Sequence, residues 1–159
     1  MLRIILATTA TIAFATAAHG QAATAAKPGN CAIWLEEASK TVATDARFES
    51  EMRAEIVAAL DTFAAAQNSA MEDQMPQTYK DAEAYGWDKA KVDQMIAENE
   101  TALRAGFRTP TMAPDTLYMD HLMAINGCIQ ANTEDSQFGM PRADFIATLE
   151  QAIPIVMGN

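Results

Sequence analysis

The chain has 159 residues, a formal net charge of −10 at pH 7 and hydrophobic residues at half of its positions. That length is typical of one domain built around a single core. The 21 acidic residues outnumber the 11 basic ones, and the clusters of Lys and Arg that attract nucleic acid or anionic lipid are missing. We therefore expect no nucleic-acid partner.

The N-terminus has the layout of a secretory signal peptide. Arg3 is followed by an uncharged, apolar run over residues 4–18 and then by small residues that suit a cleavage site. The run is shorter than the roughly 20 residues that a membrane-spanning helix needs. We predict a cleaved signal over residues 1–20, a disordered lead-in over residues 21–29 and a single helical domain over residues 30–159. The protein is then periplasmic or secreted, with no membrane anchor after cleavage.

The two cysteines predict one long-range disulfide. Cys31 and Cys128 are 97 positions apart, too far for the short spacings of redox or zinc motifs. An even number of cysteines in an oxidising compartment indicates a structural bridge. Closing a loop of this length contributes up to about 4.7 kcal/mol in the chain-entropy model.

Helical periodicity dominates the first half of the domain. Asn30 is a predicted N-cap of the first helix, and a long amphipathic helix is predicted over residues 45–67. Pro76 is expected to interrupt the helical turns that follow. A further piece is expected from Gln77 to Tyr85, with Gly86 as its C-terminal stop. The apolar face of the long helix comprises Phe48, Met52, Ile56, Leu60 and Phe63.

The second half continues in the same way. Asp88 is a predicted N-cap, and another helix is expected over residues 115–130. Residues 131–139 have the composition of a loop, Pro141 suits the first position of a last helix, and Pro154 is expected to end it. No segment alternates like a β-strand. The sequence therefore predicts an all-α fold, a small bundle of about five main helices tied by the Cys31–Cys128 bridge.

Catalytic motifs of known local spacing are missing, so we predict no enzyme and no catalytic residue. After signal cleavage His121 is the single histidine. The favoured interpretation is a partly buried, hydrogen-bonded histidine on the inward face that carries Cys128. The alternative is an enzyme in which Tyr118, Asp120 and His121 transfer protons.

Methionine is the compositional oddity, with ten residues in the chain. Met71 with Met75, and Met119 with Met123, have the i, i+4 spacing that places both side chains on one helical face. Methionine fills core gaps and forms adaptable binding surfaces, and both uses are weighed above metal binding. Thioethers also bind Cu(I), so these four residues with His121 are weak candidates for a soft-metal site, although no cofactor is expected.

In general plan the chain resembles the periplasmic acid-stress chaperones, which are small, exported, acidic, helical and crosslinked by one bridge. The resemblance is architectural, and no shared motif carries a site residue across. It implies a protein that loosens in acid and exposes apolar surface. The leading expectation is therefore a non-enzymatic, protein-binding or stress-protective factor whose partner is another envelope or periplasmic protein.

Overall fold

The computed structural model describes residues 27–107 and 114–157, which form six α-helices and no β-strand. The all-α prediction is confirmed for this part of the chain. The predicted signal peptide, and residues 21–26 of the predicted lead-in, lie outside the described residues. The helices are α1 Pro28–Thr44, α2 Ser50–Glu83, α3 Lys89–Phe107, α4 Pro114–Ala131, α5 Asp135–Phe138 and α6 Arg142–Met157.

The predicted disulfide is confirmed. The sulfur atoms of Cys31 and Cys128 are 2.13 Å apart, and the Cα atoms are 5.7 Å apart. Both residues are completely buried. The bridge therefore joins α1 to α4 inside the core, between segments that are distant in the sequence.

The core is built from α1, the first half of α2, α4, α5 and α6. Phe63 of α2 stacks on Phe138 of α5 with ring centroids 4.2 Å apart, and meets Phe145 of α6 edge-on at 5.0 Å. All three rings are fully buried, and aromatic contacts of this kind add to the free energy of burial. They hold the C-terminal helices against α2.

Pro76 does not interrupt the chain as predicted, because α2 runs through it as one helix of 34 residues. A proline inside a helix removes one backbone hydrogen bond and crowds the preceding turn. Pro76 and Glu72, whose carbonyl loses that bond, are both exposed, so water can satisfy the carbonyl. The predicted end of the first long segment at residue 67 and the separate piece after Pro76 are therefore wrong.

Other predicted boundaries shift by a few residues. Helix α1 begins at Pro28 rather than after Asn30, because proline suits the first turn, where its missing N–H is not needed. Pro28 and Gly29 thus belong to a helix and not to a lead-in. Helix α2 ends at Glu83, just before the turn that contains Gly86 at φ +74°.

Of the three other helix ends predicted from the sequence, one is confirmed and two are wrong. Asp88 is confirmed as a cap, because its Oδ1 accepts a hydrogen bond from the Lys91 N–H at 2.8 Å. Pro141 precedes α6 instead of starting it, and its carbonyl accepts bonds from the Asp144 and Phe145 N–H groups. Pro154 does not end α6, which continues to Met157.

The segment predicted as a loop over residues 131–139 contains the short helix α5. A capping box starts it, since the Glu134 side chain accepts a bond from the Gln137 backbone while the Gln137 side chain accepts one from the Glu134 N–H. This turn carries Phe138 into the core.

Helix α3 stands apart from the core. None of its described residues belongs to the core cluster. It folds back along the second half of α2 through the turn at Gly86. This arrangement leaves space between the two helices and the beginning of α1, and that space is the candidate site.

Candidate functional site

A cavity of 1020 Å³ opens between α3, the second half of α2 and the first turns of α1. We call it the methionine groove. Its volume is at the upper end of the range for ligand pockets. The apolar side chains that line it are Ile33, Met71, Met75, Ala82, Tyr85, Trp87, Val92, Met95 and Ile96.

The wall formed by α2 has the periodicity of a helix-packing seam. Five of its seven lining residues are separated by alternating steps of three and four, a spacing that keeps side chains on one side of a helix facing a partner. Met71 and Met75, which have i, i+4 spacing, lie on this stripe, and Gln74 and Asp81 lie beside it. The stripe runs through Asn68, Met71, Met75, Thr78 and Ala82.

The inner end of the groove is formed by a close approach of α1 to α2. A Cβ atom built on Gly29 would lie 2.6 Å from the Met71 Sδ atom, which is closer than packed atoms tolerate. Glycine therefore lets the helix start sit against the thioether. Beside it, the Asn99 side chain donates a hydrogen bond to Asn30 Oδ1 at 3.0 Å and joins α3 to α1.

The outer end of the groove exposes aromatic surface. Tyr85 is 78% exposed and Trp87 is 43% exposed, and their ring centroids are 6.1 Å apart. Gly86 between them has a φ of +74°, a conformation that glycine adopts without strain. Exposed apolar side chains grouped beside a cavity are typical of interaction surfaces.

Arg104 fastens α3 to α1 at the inner end. Its guanidinium contacts Glu36 at 2.6 Å, Glu37 at 2.8 Å and Glu100 at 2.8 Å. Burial disfavours the charge, but the hydrogen bonds to these carboxylates outweigh it and hold the pKa of Arg104 above its usual range. The Arg104 guanidinium is therefore bound by three carboxylates of the protein and stabilises the position of α3, which forms one wall of the groove.

A second polar contact holds the walls together further along. The Tyr79 hydroxyl donates to Asp93 Oδ1 at 2.7 Å, and Lys89 bonds Asp93 Oδ2 at 2.6 Å while lying over the Tyr79 ring at 4.6 Å. These groups are exposed or partly exposed, and such contacts contribute little stability. These polar contacts join the groove walls outside the core cluster.

The other methionines considered as metal ligands lie elsewhere. Met123 is 57% exposed on α4 and is not a lining residue of the groove. The side chain of Met119 lies outside the described residues. Met95 of α3, which the sequence analysis did not single out, lines the groove with Met71 and Met75. The groove therefore gathers three thioethers from two helices.

His121 is 3% exposed, which agrees with the favoured interpretation of a buried histidine. Its Nε2 lies 3.3 Å from Thr41 Oγ1. Burial lowers the pKa of His121 to about 4, although the charge of Glu37 opposes the shift. The ring is therefore neutral at pH 7.

Tyr118 is also buried, and its hydroxyl donates to Asp45 Oδ2 at 2.7 Å. Burial, followed by this hydrogen bond, raises the pKa of Tyr118 well above its usual value. Asp45 is held by Arg47 as well, and the Arg47 hydrogen bonds keep the pKa of Asp45 below its usual range. These groups link α4 to the turn after α1, and Asp120 beside them is half-buried.

The described part of the chain contains no group of three or more His, Cys, Asp or Glu residues placed to hold a metal ion. Among the described helices, none combines the length and apolar character needed to cross a membrane. Comparison with protein-family models, curated proteins and solved structures found no match.

Proposed function

We propose that this chain is an exported, non-enzymatic binding protein that holds an apolar segment of another protein in the methionine groove. The observation that carries the proposal is the seam of α2. Met71 and Met75 lie on a stripe with packing periodicity, yet they face an open cavity. A helix face of this kind is stabilised when a partner covers it.

The chemistry of the lining favours binding over catalysis. The thioether, indole and aliphatic side chains that dominate the lining offer polarizable contact area without a proton-transfer group. Arg104 is engaged by three carboxylates. Unbranched methionine side chains adapt to partners of different shape, as a stress-protective factor requires.

Acid sensitivity supports a stress-protective version of this role. His121 is buried and neutral, with its pKa lowered to about 4. Protonation of this residue in acid therefore stabilises the unfolded state relative to the folded state. Many of the 21 carboxylates also lose their charge in acid. We infer that the bundle loosens there and presents more apolar surface to another envelope or periplasmic protein.

Binding of an apolar fluorescent dye and of a labelled, unfolded protein tests the proposal. In Met71→Glu/Met75→Glu, two charges enter the groove, and both probes should bind at least tenfold more weakly, a loss of about 1.4 kcal/mol. The matched control is Met123→Glu, which adds a charge at an exposed methionine outside the groove and should bind like the wild type. Equal losses in both variants would contradict the proposal.

Soft-metal binding is a second candidate, favoured by the three thioethers that line one cavity. Cu(I) prefers such ligands. Titration of the reduced metal into Met71→Leu/Met75→Leu should then show loss of binding, while Met119→Leu/Met123→Leu tests the other pair. Uptake that is unchanged in both variants would exclude these methionines as ligands.

A further inference from the structure

We infer that the occupant of the methionine groove is a single amphipathic α-helix with basic residues beside its apolar stripe. The inference rests on the proposed function and specifies its partner. Three features of the groove support it: the periodicity of its walls, their length and the charge around them.

The periodicity favours a helix over an extended strand or a compact ligand. From Asn68 to Ala82, five of the seven lining positions of α2 follow the heptad spacing, which one helix uses to receive the side chains of another. The facing wall presents Val92, Ile96 and Asn99 in steps of four and three. A third helix laid between the walls would complete a three-helix packing with knobs entering holes on both sides.

The length of the walls sets the length of the occupant. At 1.5 Å per residue, the stripe from Asn68 to Ala82 extends about 21 Å, and the α3 wall from Val92 to Arg104 extends about 18 Å. A helix of roughly 12 to 14 residues matches these distances. Its apolar anchors would occupy the space beside Met71, Met75 and Met95.

The charge around the groove determines which residues are favoured beside the apolar stripe of a bound helix. The segment from residue 67 to 104, which forms both walls and their connection, has eight acidic and four basic side chains. One of the basic groups, Arg104, is neutralised by Glu36, Glu37 and Glu100. The charged residues that line the groove itself are acidic at Glu36, Asp81 and Glu100 and basic at Lys27 and Arg104, which leaves one net negative charge. A helix with Lys or Arg beside its apolar stripe is therefore attracted, and a second copy of this acidic chain is repelled.

Three labelled peptides of 16 residues test the inference by fluorescence anisotropy with the purified protein. The first has an apolar heptad stripe flanked by Lys. In the second, Glu replaces Lys, and in the third the composition of the first is scrambled so that the apolar residues no longer share a face. The first should bind at least tenfold more tightly than either control, and its advantage over the second should shrink as salt is raised.

The possible outcomes test the identity of the occupant separately from the proposed function. Tight binding of the first peptide that is lost in the neutral variant Met71→Gln/Met75→Gln, but kept in Met123→Gln, supports the inference. Equal binding of the acidic or scrambled peptide overturns the basic or the helical part of it, respectively. Dye and unfolded-protein binding without any peptide binding overturns the inference and leaves the proposed function standing. A native dimer that the Met71→Glu/Met75→Glu change dissociates would identify a second copy as the occupant and overturn the inference.

Discussion

The Nε2 atom of His121 lies 3.3 Å from Thr41 Oγ1, a contact that connects α4 to α1. The Thr41 hydroxyl donates to the Glu37 carbonyl at 2.8 Å, so its oxygen is left to accept a bond from the ring N–H. Trp34 packs edge-on against the same ring at 6.5 Å. The histidine is thereby held neutral in the interior, and its protonation is coupled to unfolding.

We predict that the free energy of unfolding falls as the pH drops from 6.5 to about 4. The pKa of His121 is about 4 in the folded state, against 6.5 for an exposed histidine. Above pH 6.5 both states are neutral, whereas between the two values only the unfolded state takes up the proton. This uptake lowers the free energy of unfolding by about 3 kcal/mol between pH 6.5 and 4. Urea denaturation at several pH values measures the loss.

His121→Gln is the control for this pH dependence, because glutamine does not titrate and can still donate a hydrogen bond. The variant is expected to be less stable at pH 7 than the wild type, and its stability should change less between pH 6.5 and 4. Identical slopes in the two proteins would show that carboxylates rather than His121 set the acid response.

Removal of the disulfide should destabilise the bundle strongly. Cys31→Ser/Cys128→Ser opens a loop of 97 residues and places two hydroxyl groups in a fully buried site. We expect a loss of about 3 to 5 kcal/mol in the free energy of unfolding. Reduction of the wild-type protein should lower its stability by a similar amount, and rapid thiol labelling of the native protein without reductant would contradict the bridge.

Substitution of Arg104 should loosen α3 while the core stays folded. Arg104→Ala leaves Glu36, Glu37 and Glu100 without their shared cation, and Glu37 is buried. Hydrogen exchange should become faster in α3 than in α1 or α4, with a loss of about 1 to 3 kcal/mol in local stability. Lys91→Ala, an exposed position on the same helix, is the matched control. Uniform acceleration across all helices would show that α3 is part of the cooperative core.

The sequence predicted what depends on local spacing and missed what depends on long-range packing. The face through Ile56, Leu60 and Phe63 has helical periodicity, and all three residues are buried in α2. The polar neighbours of Phe138 predict a loop, yet the Phe138 ring stacks on Phe63 in the core. The stacking partner is distant in sequence, so no local pattern could identify it.

In the candidate site too, local spacing predicts some residues, whereas long-range packing decides others. The i, i+4 spacing of Met71 and Met75 placed them on one face, and both line the groove. The contribution of Met95 and Trp87 depends on how α3 folds back after Gly86, and that direction is set by the contacts of Arg104 and Asn99 with α1. A single sequence contains no signal for such pairs.

A methyl group added at Gly29 should alter the groove without unfolding the protein. In Gly29→Ala the new Cβ would lie 2.6 Å from Met71 Sδ, so the flexible thioether must move within the groove. Gly29 is the second residue of α1, where the helical preference of alanine over glycine is smaller than the roughly 1 kcal/mol of a helix interior and offsets only part of the strain. We expect near-normal stability and severalfold weaker binding of the unfolded-protein probe.

Gly106→Ala provides the matched control for this change. It makes the same substitution near the end of α3, where, apart from its own helix and chain neighbours, no atom of the described residues lies within 4 Å of the added Cβ. Binding should then be unchanged, with stability equal to or slightly above that of the wild type. If Gly29→Ala binds the probe as tightly as Gly106→Ala does, the position of Met71 does not control binding, and the contact surface lies nearer the exposed end at Tyr85 and Trp87.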